Sequence, residues 1–248
     1  TLHVVYREKL EYRGKNFFIK SRFSGKSLWE RGKFQLISVV GIGPGHPDYV
    51  TPIALKKIQS ADVIIGGRRQ LKMCEGVSCA KILFDSKLDL EKALDNPGNV
   101  VVLASGDPTI YGILDKILSL RKKEEIEVIS GISCIQYMLG KLKMPMKDVC
   151  VISLHGRKQE LIEKVKEYKS VAVLTDKIHS PCYIAQSLRQ AGIVDVKIYV
   201  GENLSYENEK IGEFSVEELA ESTQNFDLNV VVITRCGSMD LAFLTSFL

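Results

Sequence analysis

The chain has 248 residues, 45% of them hydrophobic and 26% charged, the composition of a globular protein with room for one large α/β domain or two smaller ones. No apolar run approaches the roughly 18 residues of a membrane span, and the start of the chain lacks the layout of a secretion signal, so the protein is expected in the cytoplasm. The formal net charge of +4 is unevenly placed: residues 1–35 hold nine Lys/Arg against three Asp/Glu and residues 36–248 hold 25 against 27, and a nearly neutral body argues against duplex nucleic acid as a partner.

Residues 1–35 form a basic extension. HVVYREKLEY and NFFIKSRF flank Arg13-Gly14-Lys15 with partial alternation of apolar and charged residues, which suits a β-hairpin or a loosely packed leader. The sole tryptophan, Trp29, lies there beside Arg31 and Lys33.

From Leu36 onward strand and helix patterns alternate. Strand-like runs occupy 38–42 (SVVGI), 62–66 (DVIIG), 100–104 (VVVLA) and 127–131 (EVISG). Each is short, rich in Val and Ile, and apolar at successive positions, as strands buried on both faces of a parallel sheet must be. Helical stretches at 48–60 and 109–121 separate them, the first with Ile53, Leu55 and Ile58 on one face. Met144-Pro145-Met146 marks a boundary, after which a second α/β series begins. It runs VCVISLHG, a helix over 157–168, SVAVLT, a helix over 181–191, VKIYVGE, an edge strand over 209–214, and VVVIT at 230–234. The expected architecture is an N-terminal α/β domain over 36–146 and a C-terminal α/β domain over 147–248, with a ligand cleft between them.

Leu36 to Gly45, LISVVGIGPG, runs a first strand into a glycine-rich turn. A dinucleotide fingerprint would place its third glycine where His46 stands, and Pro44 removes an N–H where phosphate oxygens need donors. No Gly-Lys-Ser/Thr follows, which excludes a nucleoside triphosphate loop. The turn suits a compact cationic or neutral ligand, or serves as a plain connection. Further turns follow strands at Gly66-Gly67-Arg68-Arg69, Ser105-Gly106-Asp107-Pro108, Gly131-Ile132-Ser133-Cys134, His155-Gly156-Arg157 and Leu174-Thr175-Asp176. In α/β sheets such turns gather on one rim. Each is weak alone, because Gly, Asp, Ser and Pro occur wherever chains turn; their joint order carries the weight. Six cysteines (Cys74, Cys79, Cys134, Cys150, Cys182, Cys236) show no CxxC pair and no zinc-ligand spacing with histidine, so reduced thiols and no side-chain metal site are expected.

GIGPG after the strand at 38–42, ASGDPTIYG after that at 100–104 (the family's fourth) and SGISCIQ after that at 127–131 (its fifth) resemble the leading motifs of the tetrapyrrole (corrin/porphyrin) methyltransferases, which use S-adenosyl-L-methionine and release S-adenosyl-L-homocysteine. The resemblance covers essentially all of 36–234. GGRRQL at 66–71, SLHGR at 153–157, LTD at 174–176 and VGENLSYENEKI at 200–211 look most like the branch that methylates C5 of a cobalt-precorrin in cobalamin synthesis. It implies that Pro44 lies against the cofactor and that Ser105, Gly106, Asp107 and Ile110 hold its amino-acid and ribose region. Ser133 and Cys134 would then support the adenosyl part, with Thr175 and Leu204 meeting adenine and ribose. It further implies a homodimer and a small-molecule tetrapyrrole substrate carrying its own cobalt, with neither nucleic acid nor membrane as partner.

Two departures stand out. The usual Pro-Gly before the fifth-strand loop reads Ser130-Gly131, and relatives acting on uroporphyrinogen carry an aspartate in the place of Gly67. Here Arg68 and Arg69, with Arg157 and Lys158, suit the carboxylate arms of a corrin acid, though arginines also simply face solvent. His155 is the candidate proton acceptor, with His46 second. Asp107 also suits a helix cap. Other acceptors on the same fold stay open, namely another precorrin position, a modified histidine of a translation factor or ribosomal RNA. A nicotinamide-dependent oxidoreductase and a non-catalytic cofactor sensor stand further off.

Overall fold

The computed structural model describes residues 36–154 and 161–235 in full, and the backbone of Glu8–Tyr12 and Lys15–Ile19. His155, Arg157, Lys158, Trp29 and Cys236 lie outside the described residues. The chain divides into two compact units, 1–34 and 35–248. In the first, β1 (Glu8–Tyr12) and β2 (Lys15–Ile19) pair antiparallel, with Tyr12 opposite Lys15, the hairpin of the two arrangements that the extension's pattern allows.

The second unit begins with a parallel sheet of β3 (Ile37–Gly41), β4 (Val63–Gly66), β5 (Ala80–Leu83), β6 (Val100–Ala104) and β7 (Ile126–Ile129), in the spatial order β5-β4-β6-β3-β7. β3, β4 and β6 are buried at every position because helices cover both faces. On one face Val40, Ile64, Val101 and Leu103 pack against Ala54 and Ile58 of α1 (Pro52–Gln59). On the other, Val39, Ile65, Val100 and Val102 pack against α3 (Leu90–Leu94) and Ile117 of α4 (Leu114–Leu118). β5 is absent from the sequence reading because it is an edge strand whose AKIL run is largely exposed and interrupted by Lys81.

Two helices are shorter than their patterns suggest. Thr51 caps α1 by accepting from the Ala54 N–H, and Ile53 and Leu55 are 50% and 43% exposed rather than sharing the buried face of Ile58. The 109–121 pattern yields helix only from Leu114, because Tyr111 adopts φ 51° and a side chain at Gly112 would strike the Pro108 carbonyl oxygen at 2.5 Å.

The second sheet holds β8 (Val149–Ser153), β9 (Ser170–Leu174), β10 (Val196–Glu202), β11 (Lys210–Phe214) and β12 (Asn229–Arg235), in the order β11-β10-β12-β9-β8. It is mixed. β8 and β9 run parallel, whereas β12 is antiparallel to both β9 and β10, and β11 is antiparallel to β10. A Val/Ile run buried on both faces does not encode strand direction, so this alternation is invisible in the sequence. One face packs on α6 (Leu161–Glu167), α7 (Pro181–Gln190) and α8 (Val216–Glu221). The other receives α5 (Cys134–Lys141), whose Ile135, Met138 and Leu139 meet Ala172, Val230 and Val232. α5 therefore follows the last strand of the first sheet but seats on the second. No helix among the described residues is long and apolar enough to cross a membrane.

Candidate active site

Parallel strands put the turns after β3, β4, β6 and β7 on one rim. Three of them stack backbone on backbone. A Cβ at Gly41 would lie 2.6 Å from the Gly131 nitrogen and 2.7 Å from the Gly106 oxygen, and one at Gly131 would lie 2.2 Å from that same oxygen. Gly106 and Gly43 also exchange N–H to carbonyl hydrogen bonds of 3.2 and 2.8 Å. Only glycine permits such approach, and Gly106 adopts φ 66° besides. The result is a cradle walled by main chain.

Asp107 locks this cradle. It is 7% exposed, and one carboxylate oxygen accepts from the Thr109 N–H at 2.7 Å and from the Thr109 hydroxyl, while the other accepts from the Gly131 N–H at 3.1 Å. Burial pushes its pKa up, but the hydrogen bonds from Thr109, Gly131 and Ser130 outweigh burial and hold it below the usual carboxylate value. The carboxylate thus pins the fourth-strand turn to the fifth-strand turn, and it does not cap α4.

Ser133 and Cys134 adjoin the same point, with the Ser133 Cα 3.2 Å from where a Gly106 side chain would begin. Ser133 caps α5, its hydroxyl accepting from the Gln136 N–H at 3.0 Å. Burial pushes the Cys134 thiol up to about 11, which favours the neutral thiol near pH 7. Pro44 is buried in the first turn, Ser105 is exposed and Ile110 is half-buried.

The second sheet supplies the facing rim. β8 and β9 end there together, and so do the end of β10 and the start of β12, because Glu202 lies opposite Asn229. The two rims touch directly: the His46 N–H donates to Ser205 Oγ at 2.8 Å, and a side chain at Gly45 would strike the Tyr206 ring. Tyr111 reaches across as well, donating to the Val151 carbonyl at 3.1 Å. Behind this contact the Ser205 N–H donates to Glu209, which pairs with Lys141 at 2.9 Å, and Tyr137 of α5 stacks edge-on against Tyr49. Burial pushes the Tyr137 phenol up to about 12, with the Glu209 carboxylate adding to the rise.

Thr175 holds the first position beyond β9, its hydroxyl within hydrogen-bond distance of the Asn229 carbonyl and side-chain oxygens. Leu204 is 4% exposed and packs against Met138 of α5 as part of the core. Arg68 and Arg69 open α2 (Arg68–Met73) and are exposed. His46 is engaged locally, its Nδ1 accepting from the Asp48 N–H at 3.2 Å.

Two features escape a sequence reading. Gln70 folds back on Gly67 and reaches Ser105; the only sequence signal is a Gln three residues past Gly67, the residue that precedes α2. Asp176 and His179 form a second, with Nδ1 3.0 Å from the carboxylate and the imidazole edge-on to Tyr183. Its signal is an Asp-x-x-His spacing that begins at the Asp of LTD, where both side chains fold onto one turn.

The family model for tetrapyrrole (corrin/porphyrin) methylases matches residues 36–220. The chain is similar to a probable cobalt-precorrin-7 C(5)-methyltransferase of Methanocaldococcus jannaschii, at 37% identity over 75% of this chain and 92% of that protein. It is similar to the cobalt-precorrin-7 C(5)-methyltransferase of Salmonella typhimurium, at 32% over 80% and 98%. Among solved structures it resembles the precorrin-6Y methylase of Archaeoglobus fulgidus, with a TM-score of 0.64 and 28% identity over 81% of this chain and 98% of that one. The extension before residue 36 lies outside the family match. Motif order, two-sheet fold and near full-length likeness agree: the chain belongs to the tetrapyrrole (corrin/porphyrin) methylases.

Proposed function

We propose that this chain is an S-adenosyl-L-methionine-dependent C-methyltransferase acting on C5 of a cobalt-precorrin in cobalamin synthesis. The observation that carries the reading is its likeness to two proteins of that name across 92% and 98% of their lengths. The cradle fits the cofactor. Its walls are bare backbone, which admits a ligand closely, and Pro44 leaves it short of the N–H donors that a pyrophosphate needs.

The cofactor supplies an electrophilic sulfonium methyl. The chain's task is to hold donor and ring carbon in line and to keep water out. Pro44, Ser105, Gly106, Asp107, Ile110, Ser133 and Cys134 would hold the cofactor on the first rim, with Thr175 and Leu204 meeting it from the second. Asp107 acts there by fixing the cradle's shape. Methyl transfer would break the sulfonium–methyl bond, leaving S-adenosyl-L-homocysteine, as the methyl carbon joins the ring carbon, and the proton that the ring carbon releases would go to a base. We assign that role to His155, two residues beyond β8 in the sequence; His179, oriented by Asp176 beside Thr175, replaces His46 as the second choice, because His46 Nδ1 already accepts from the Asp48 N–H. Arg68, Arg69, Arg157 and Lys158 would pair with the substrate's acetate and propionate arms. Cobalt enters with the substrate.

The reading carries with it two domains, 36–146 and 147–248, a homodimer and a cytoplasmic setting. Exposed Ile53 and Leu55 on α1 support a subunit contact, and free cysteines among the described residues support a reducing compartment. Titration with S-adenosylhomocysteine should give one site per chain. Incubation with labelled S-adenosylmethionine and cobalt-precorrin-7 should then place the label at C5. Label passing instead to another precorrin, a protein histidine or ribosomal RNA would overturn the acceptor while keeping the cofactor, and tight NADH binding without S-adenosylhomocysteine binding would overturn both.

A further inference from the structure

We propose that Gln70 is a positioning residue that fixes the Ser105 hydroxyl as a hydrogen-bond donor toward the bound cofactor and so joins the arginine turn to the cofactor turn; this rests on the reading of the site above. β4 and β6 are neighbours, with Ile65 opposite Val102, so the turns that follow them lie side by side. Gln70 spans the gap. The Gly67 N–H can only donate, so the Gln70 atom 2.6 Å away must be the amide oxygen. That settles the orientation of the carboxamide and leaves its nitrogen 2.9 Å from Ser105 Oγ. An amide nitrogen only donates, so Ser105 accepts, and its own proton is left to point away from Gln70.

The surroundings hold the carboxamide in this pose. A Cβ at Gly66 would lie 3.1 Å from the Gln70 oxygen and 3.2 Å from a Leu103 methyl, so the side chain rests on bare backbone. Ser105 is exposed on the rim, where its hydroxyl can present the unspent proton. The group that takes this proton is then an acceptor, such as a carboxylate or hydroxyl oxygen of the cofactor. A glutamate at position 70 would keep the bond to Gly67 but offer Ser105 no donor. The serine would turn its proton inward and show the ligand only lone pairs.

Calorimetric titration with S-adenosylhomocysteine should find Gln70→Glu and Ser105→Ala each weakened about tenfold, the loss expected for one hydrogen bond to a charged or strongly polar acceptor. The double variant should also be weakened about tenfold, because both substitutions remove the same bond. Gln70→Met leaves the serine proton free to turn outward and should lose about threefold or less. The inference falls if Gln70→Glu binds like the parent, if the double variant loses about a hundredfold, or if Gln70→Met is as weak as Gln70→Glu. The Gln70 side-chain amide resonance should shift in Ser105→Ala whether or not a ligand binds, and an unshifted resonance would also refute the bond. A parent chain that binds no S-adenosylhomocysteine, with that shift present, would count against the proposed function instead.

Discussion

The two sheets solve the same packing problem in different ways, and the site reflects the difference. The first is parallel throughout, so its turns after β3, β4, β6 and β7 emerge on one rim, and those after β3, β6 and β7 touch through main chain. The second is mixed in direction, so its contribution to the rim comes from three strand ends and two strand starts, held by side chains such as Thr175 with Asn229 and Glu209 with Lys141. A rim built of backbone tolerates no added atom, whereas one built of side chains yields by degrees.

The sharpest way to break this contrast is Gly131→Ala. Its new methyl would have to displace the Gly106 carbonyl, so we expect a loss of about 3 kcal/mol or more in urea unfolding, with cofactor binding abolished. Asp107→Asn comes next. The amide would set an N–H against either Gly131 or Thr109, a mismatch worth about 1–3 kcal/mol. The depressed pKa of Asp107 makes its contribution full above the ordinary value of 3.8 and lost as pH falls through the folded pKa; the asparagine variant should lack that acid-side fall in melting temperature. Arg68→Ala with Arg69→Ala tests the exposed edge of the same rim: the tetrapyrrole KM should rise about tenfold while S-adenosylhomocysteine affinity holds, and equal losses would remove both arginines from substrate binding. The smallest effect has the opposite sign. Gly140 sits in α5 with nothing within 4 Å of an added Cβ, so Gly140→Ala should raise stability by up to about 1 kcal/mol without touching binding.

Much of the first sheet is legible in sequence because its central strands are uniformly apolar and its turns carry Gly, Asp and Pro at strand ends. Val100–Ala104 reads off directly, and the glycine turns announce a rim. What escapes follows from distance along the chain. β5 hides because an edge strand need not be apolar. The direction of β12 hides because burial has no polarity. Asp107 reads as a ligand contact or a helix cap; that its second oxygen reaches Gly131 is visible only once the two turns are side by side. Gln70 is missed for the same reason, since its partner Ser105 lies 35 residues away. His155, Arg157 and Lys158 fall outside the described residues, so their roles rest on the motifs and the proposed reading.

α5 is threaded as the end of the first half and packed as a lid on the second. Severing the polypeptide at Met146 would leave one fragment with a greasy helix that has nothing to seat it and the other with a sheet stripped of that helix. We therefore expect the two proposed domains to lose structure in one cooperative transition rather than two.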